Sequence, residues 1–165
     1  MYYPDDATYE QRRTSYWSVD SQLRPHCVVQ PTSTYNVVKI VNTLVKHPAC
    51  TKTEFAVRSG GQMSWGPSNN IDNGITIDLV RMNSTTFNET SRIASIQSGT
   101  LWGAVYDKLQ PYGYTVAGGR SYSTGIGGFI TGGGNSFFSN RYGFAGDNVK
   151  NFEVVLASGC VLHFL

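Results

Sequence analysis

Apolar residues recur at helical spacing in two stretches of the chain. Val37, Ile40, Val41, Leu44 and Val45 make one apolar face. Ser33 or Thr34 can cap the start of that helix, and Pro48 stops it. Leu101, Trp102, Val105, Tyr106 and Leu109 predict a second helix, ending near Pro111. Short apolar runs between turn residues predict strands. They are Cys27-Val28-Val29-Gln30 ended by Pro31, Glu54-Phe55-Ala56-Val57, Ile93-Ala94-Ser95-Ile96-Gln97 closed by Gly99, and Tyr114-Thr115-Val116. Ile75-Thr76-Ile77-Asp78-Leu79 alternates as a half-buried strand does. Phe152-Glu153-Val154-Val155-Leu156-Ala157 and Cys160-Val161-Leu162-His163 predict a hairpin turning at Ser158-Gly159. Residues 1–26 are polar and aromatic with no clear period and read as an arm on a domain of residues 27–165. Helices and strands mix without a regular βαβ alternation, which predicts an α+β fold.

Composition narrows the partners. Charged residues make up 15% of the 165 and the formal net charge is +2, so there is no basic stripe for a nucleic acid. No apolar run approaches the roughly 20 residues of a membrane span, and the chain opens without a charged-then-apolar leader. Aromatic residues at 13% supply enough buriable surface for a packed core. Nine of the 18 glycines fall within residues 113–134, and Arg120 is the one charged residue within 109–140. Tyr, Phe, Ile and Val interleave with these glycines, which points to a tightly packed backbone surface.

Other candidate chemistry is sparse. Cys27, Cys50 and Cys160 lack zinc-ligand spacing, so no metal site is expected. Cys27 with Cys50 is the disulfide pair to test, against three reduced cysteines. Asn83-Ser84-Thr85 and Asn88-Glu89-Thr90 are glycosylation sequons in a polar stretch that reads as a loop. His26, His47 and His163 are scattered, and no serine stands in a G-x-S-x-G elbow. No catalytic residue can be named.

The glycine motifs carry the functional signal. Arg58-Ser59-Gly60-Gly61-Gln62 follows a predicted strand directly. Glycines there permit a sharp turn whose N–H groups converge on an anion, best a phosphate or pyrophosphate. A structural turn with an exposed Arg explains the same residues equally well. The second segment runs Gly118-Gly119-Arg120-Ser121-Tyr122-Ser123-Thr124-Gly125-Ile126-Gly127-Gly128 and then Gly132-Gly133-Gly134. It supplies neither G-x-G-x-x-G nor G-x-x-x-x-G-K-[ST]. It suits a large flat ligand lying against bare peptide groups, or close helix–sheet packing.

Together these motifs resemble one family, the secreted fungal branch of FAD-linked oxidases with berberine-bridge-enzyme architecture and a p-cresol-methylhydroxylase-type (vanillyl-alcohol-oxidase-type) FAD-binding domain. The resemblance runs from about Tyr16-Trp17-Ser18 to about Cys160. It is carried by Phe55-Ala56-Val57-Arg58-Ser59-Gly60-Gly61, Ile75-Thr76-Ile77-Asp78-Leu79, the second glycine segment and Gly143-Phe144-Ala145-Gly146-Asp147-Asn148-Val149. It implies two α+β subdomains with FAD extended between them. Arg58, Ser59, Gly60 and Gly61 would cradle the pyrophosphate, continued by Gln62, Ser64 and the rest of the loop to Asn69. Gly118, Gly119, Ser121, Thr124, Gly125, Gly127 and Gly128 would run beside the isoalloxazine, ribityl and phosphate parts, and Val154 would approach the adenine. The implied protein is a secreted glycoprotein that oxidises an alcohol, a sugar or a specialised metabolite, with oxygen as acceptor.

Three departures qualify that implication. Gln62 stands where many members carry the His bonded to the flavin, and Ser121 where bicovalent members carry the Cys, so FAD would be held non-covalently. The chain stops at Leu165, before the substrate domain and the C-terminal half that completes the family's fold and supplies the base. Residues 161–165 also leave the family pattern. The alternative is a catalytically inactive remnant or binding module that keeps the fold; a glycine-rich structural protein with no small ligand ranks last.

Overall fold

A computed structural model describes residues 1–47, 50 and 52–164. Pro48, expected to stop the first amphipathic helix, lies outside the described residues.

The expected strands are formed at β1 (Cys27–Val29), β2 (Phe55–Arg58), β3 (Ile75–Asp78) and β5 (Ile93–Ile96). The hairpin is β6 (Phe152–Val155) with β7 (Val161–Phe164), paired antiparallel from Phe152 against Phe164 to Val155 against Val161. Helix α2 (Thr34–Lys46) starts at Ser33, whose hydroxyl accepts the Asn36 N–H at 3.3 Å. Helix α3 (Trp102–Leu109) runs into a 3-10 turn at Gln110–Tyr112.

Strands β1, β3 and β2 form a parallel sheet in that order, with Val28 opposite Thr76 and Ala56 opposite Thr76 across the two ladders. The chain passes from one edge through α2 to the other edge and then enters the centre. Strand β3 is not half-buried, as its alternation suggested: Thr76, Ile77 and Asp78 are all buried. A central parallel strand is covered on both faces, so its polar residues need partners inside the protein. They have them. Thr76 Oγ1 donates to Asn70 Oδ1 at 2.7 Å, and Asn70 Nδ2 donates to Ser21 O and Leu23 O at 2.8 and 3.1 Å. Asp78 is paired with Arg12 at 2.7 Å and accepts the Gln30 amide at 3.1 Å.

Further elements departed from expectation. The N-terminal segment contains helix α1 (Ala7–Thr14), and Tyr2 bridges Val28 of β1. Buried Tyr9 donates to Pro25 O at 2.8 Å. The sequon stretch read as a loop forms β4 (Thr85–Asn88), antiparallel to β5. Its Phe87, one apolar side chain among polar neighbours in the sequence, packs against the core beside α3 and against the Tyr112 and Tyr114 rings. Residues 114–116 have no strand partner: Gly113 at φ +73° reverses the chain, and the Tyr114 N–H closes on Leu109 O. The pairing considered for Cys27 with Cys50 is absent, and all three cysteines are free. Cys27 is buried in β1, whereas Cys50 sits in the turn beyond α2, its N–H on His47 O.

Two apolar cores form among the described residues. Leu44, Ile77, Leu79 and Met82 pack under α2, while Trp102, Val105, Leu109 and Ile126 pack between α3 and the β4–β5 pair. Gly99 lets them approach: a Cβ there would lie 1.8 Å from Leu79 O.

Candidate functional site

The two glycine segments meet backbone to backbone at Gly60 and Gly125, 65 positions apart in the chain. A Cβ on Gly60 would lie 2.4 Å from Gly125 N, and one on Gly125 would lie 2.3 Å from Gly60 N. No side chain other than hydrogen fits between them. Ser59 fastens the junction. Its hydroxyl donates to Ser98 O at 2.6 Å and accepts the Gly127 N–H at 3.1 Å. The strand-like bridge of Leu101 to Gly125, with Trp102 N–H on Thr124 O at 3.0 Å, ties the second segment to the start of α3.

Beyond the junction the first segment turns sharply, with Gly61 buried at φ +72°. A Cβ at that angle is strained, so glycine is required. Among the described residues, the main-chain N–H groups of residues 60–64 donate to no protein acceptor. Unpaired N–H groups on successive residues of a tight turn are the elements of an anion-binding nest.

The predicted residues divide by what they touch. Arg58 is buried, against the reading of an exposed Arg at a structural turn. Its Nη1 donates to Arg12 O at 2.7 Å and its Nη2 to Ser15 O and Oγ at 3.2 and 3.0 Å, while the guanidinium lies 3.7 Å over the Tyr16 ring. Burial pulls its pKa below the usual arginine value, and burial pushes the Tyr16 hydroxyl up. Gln62 reaches the second segment, where Nε2 donates to Ser123 Oγ at 3.0 Å and Ser123 O at 3.3 Å; Ser121 Oγ lies 3.4 Å from Ser123 Oγ. The structure therefore gathers Ser59, Gly60, Gly61, Gln62, Ser121, Thr124, Gly125 and Gly127 into one locus.

Gly118 and Gly119 have a different neighbour. A Cβ on either would lie 2.3–2.5 Å from the Trp102 ring, so their lack of side chain serves packing. With Tyr106, Arg120, Phe137 and Phe138 they line a cavity of about 220 Å³. Gly128 and Gly133, by contrast, have nothing within 4 Å of a built Cβ and expose bare backbone. Gly128 lies in a short helix, α4 (Ile126–Thr131), that the glycine density concealed. Ser64 is exposed on the first loop. Val154 is not gathered with these residues; its hairpin packs on α2, with Thr34 hydrogen-bonded to Glu153. Sequence reasoning missed Ser98 and Ser123, because each acts through contacts to a distant segment. Among the described residues no cluster of His, Cys, Asp and Glu could hold a metal.

Comparison with known proteins gives the locus a context. The chain is 41% identical over 157 residues to the FAD-dependent monooxygenase sdcF of Emericella nidulans, covering 95% of this chain and 32% of the relative. It thus spans about a third of the length of such relatives. It superposes on 6-hydroxy-D-nicotine oxidase from Arthrobacter nicotinovorans with a TM-score of 0.89 at 28% identity, covering 99% of this chain and 35% of that one. Berberine bridge enzyme in complex with (S)-reticuline matches with a TM-score of 0.88 at 25% identity, covering 99% and 33%. The FAD binding domain model matches residues 25–165, past the Cys160 limit of the sequence resemblance. The chain belongs to the FAD binding domain family, with a berberine-bridge-enzyme-type fold.

Proposed function

We propose that this chain is the FAD-binding part of a flavin-dependent oxidoreductase of the secreted fungal berberine-bridge-enzyme-like branch, and that it holds FAD without a covalent bond. The observation that carries this reading is the glycine junction. Two backbones in contact, a run of unpaired N–H groups at residues 60–64 and bare backbone at Gly128 and Gly133 fit an extended dinucleotide with a diphosphate. Ser59, Gly60, Gly61, Gln62 and Ser64 would hold the diphosphate side. Ser121, Thr124, Gly125, Gly127 and Gly128 would line the rest.

FAD, when bound, supplies the electron-accepting chemistry. The residues of this chain bind and orient. Ser59 keeps the segments in register, and Gln62 spans them through Ser123. The Gln62 amide has no nucleophilic ring nitrogen, and the Ser121 hydroxyl is a far weaker nucleophile than a thiolate, so neither links to a flavin ring. The substrate would be an alcohol, a sugar or a specialised metabolite, with oxygen as acceptor. Asn83 and Asn88 are exposed and would carry glycans in a secreted protein, detectable as a mass shift on endoglycosidase treatment.

Acid precipitation of the FAD-loaded protein tests the cofactor reading. All yellow flavin is expected in the supernatant, as intact FAD. Flavin retained in the pellet overturns the non-covalent assignment, and failure of the chain to take up FAD overturns the reading itself.

A further inference from the structure

The N-terminal segment lies largely outside the matched family region, which begins at residue 25, yet it presses on the first glycine turn. The Trp17 N–H donates to Gly61 O at 3.1 Å. A Cβ on Gly61 would lie 2.8 Å from Arg58 Nε, 2.9 Å from its Nη2 and 3.0 Å from Tyr16 Cδ1. Arg58 is itself immobilised. It satisfies carbonyls at the C-terminal end of α1, where a cation is favoured by the helix dipole, and it stacks on Tyr16. Tyr16 is held in turn, donating to Asn69 O at 3.0 Å. Arg12, whose carbonyl takes the shortest Arg58 bond, is locked to buried Asp78 at the end of β3. Sheet, helix and turn are thus joined through one guanidinium.

We infer that Arg58 is a positioning residue: from the protein side of the turn it fixes buried Gly61 at positive φ, and so aims the N–H groups of residues 60–64 at the diphosphate, with α1 and Tyr16 as its anchor. Its Nη1 and Nη2 are committed to Arg12 and Ser15 and its face to Tyr16, while Nε, buried with no partner among the described residues, lies against Gly61. This rests on the FAD reading above, and it assigns to the N-terminal segment a part in cofactor binding.

Arg58→Lys keeps the charge but cannot serve all three acceptors and the ring together. Tyr16→Leu removes the stack and leaves Arg58 in place. Two measurements on the full chain separate the possibilities. The first, without cofactor, is amide hydrogen exchange. Both variants are expected to speed exchange of the Trp17 amide, whose N–H is bonded to Gly61 O, and to leave α3 unchanged; unchanged exchange at Trp17 overturns the inference. The second is titration with FAD and with riboflavin, which lacks the diphosphate. Both variants are expected to weaken FAD roughly tenfold, the effect of one charge-assisted hydrogen bond, and riboflavin little. Equal weakening of both ligands marks a merely structural role and overturns the inference. So does full FAD affinity in Arg58→Lys, since a charge acting directly on phosphate survives that change. If wild-type protein binds neither flavin while exchange at the Trp17 amide still accelerates in the variants, the brace stands and the FAD reading falls.

Discussion

The two glycine segments meet at one point but are held by different forces. The first turn is braced by buried charge: Asp78 grips Arg12, and the Arg12 carbonyl grips Arg58, which abuts Gly61. The second is held by aromatic packing, with Gly118 and Gly119 flat against Trp102 and the Tyr106 hydroxyl on Gly119 O at 2.7 Å. Burial pushes the Tyr106 pKa up, in keeping with a hydroxyl committed to that carbonyl. Hydrogen bonds to a charged group fix direction, as a turn that must aim N–H groups requires. Packing fixes distance and leaves direction freer. The difference teaches that glycine here has two uses, room for a neighbour and a positive φ, and that only the surroundings tell them apart.

Removing the charge brace is expected to have the largest effect. Asp78→Ala strips the ion pair from Arg12 and the acceptor from Gln30 and the Val80 N–H. A loss of about 3–5 kcal/mol is expected, read as a lower denaturant midpoint. The same change in a variant lacking Arg12 should cost less, and an equal cost would break the claim that the pair acts as a unit.

Gly125→Val attacks the meeting point of both segments. Its side chain would be driven into the Gly60 backbone, which cannot rotate away as a side chain can. Overpacking of this kind costs about 3 kcal/mol, and FAD uptake should fail along with it. A variant that retains both stability and flavin binding would show that the junction opens freely.

The smallest effect sharpens the comparison by its sign. Gly128 sits in α4 with nothing within 4 Å of a built Cβ. Gly128→Ala should therefore gain up to ~1 kcal/mol of stability from helix propensity, and on the proposed placement of FAD it should lower FAD affinity severalfold, because the methyl would enter the space assigned to the cofactor. Unchanged affinity would remove Gly128 from the cradle.

Much of the fold was legible along the chain. Helical spacing predicted α2 and α3, with a cap at the start of α2, and the Ser158-Gly159 turn predicted the β6–β7 hairpin, because those elements follow from local pattern. Elements whose pattern is overwritten were not: α1 in a polar arm, β4 inside two sequons, and α4 within a run of glycines. The parallel arrangement of β1, β3 and β2 was likewise invisible, since alternation in β3 signals a half-buried strand, and burial on both faces arises only when neighbours arrive from either side.

For the site, the resemblance carried by the ordered glycine motifs was sufficient to name the cofactor class, because those motifs are a property of the chain itself. Which way each group faces was decided only by tertiary structure. Arg58, a plausible phosphate ligand in the sequence, is buried against Tyr16 and the end of α1, and Gly118 and Gly119 serve Trp102. The reason is physical: a residue type states what contacts are possible, whereas burial and neighbours brought together across the chain select which of them form.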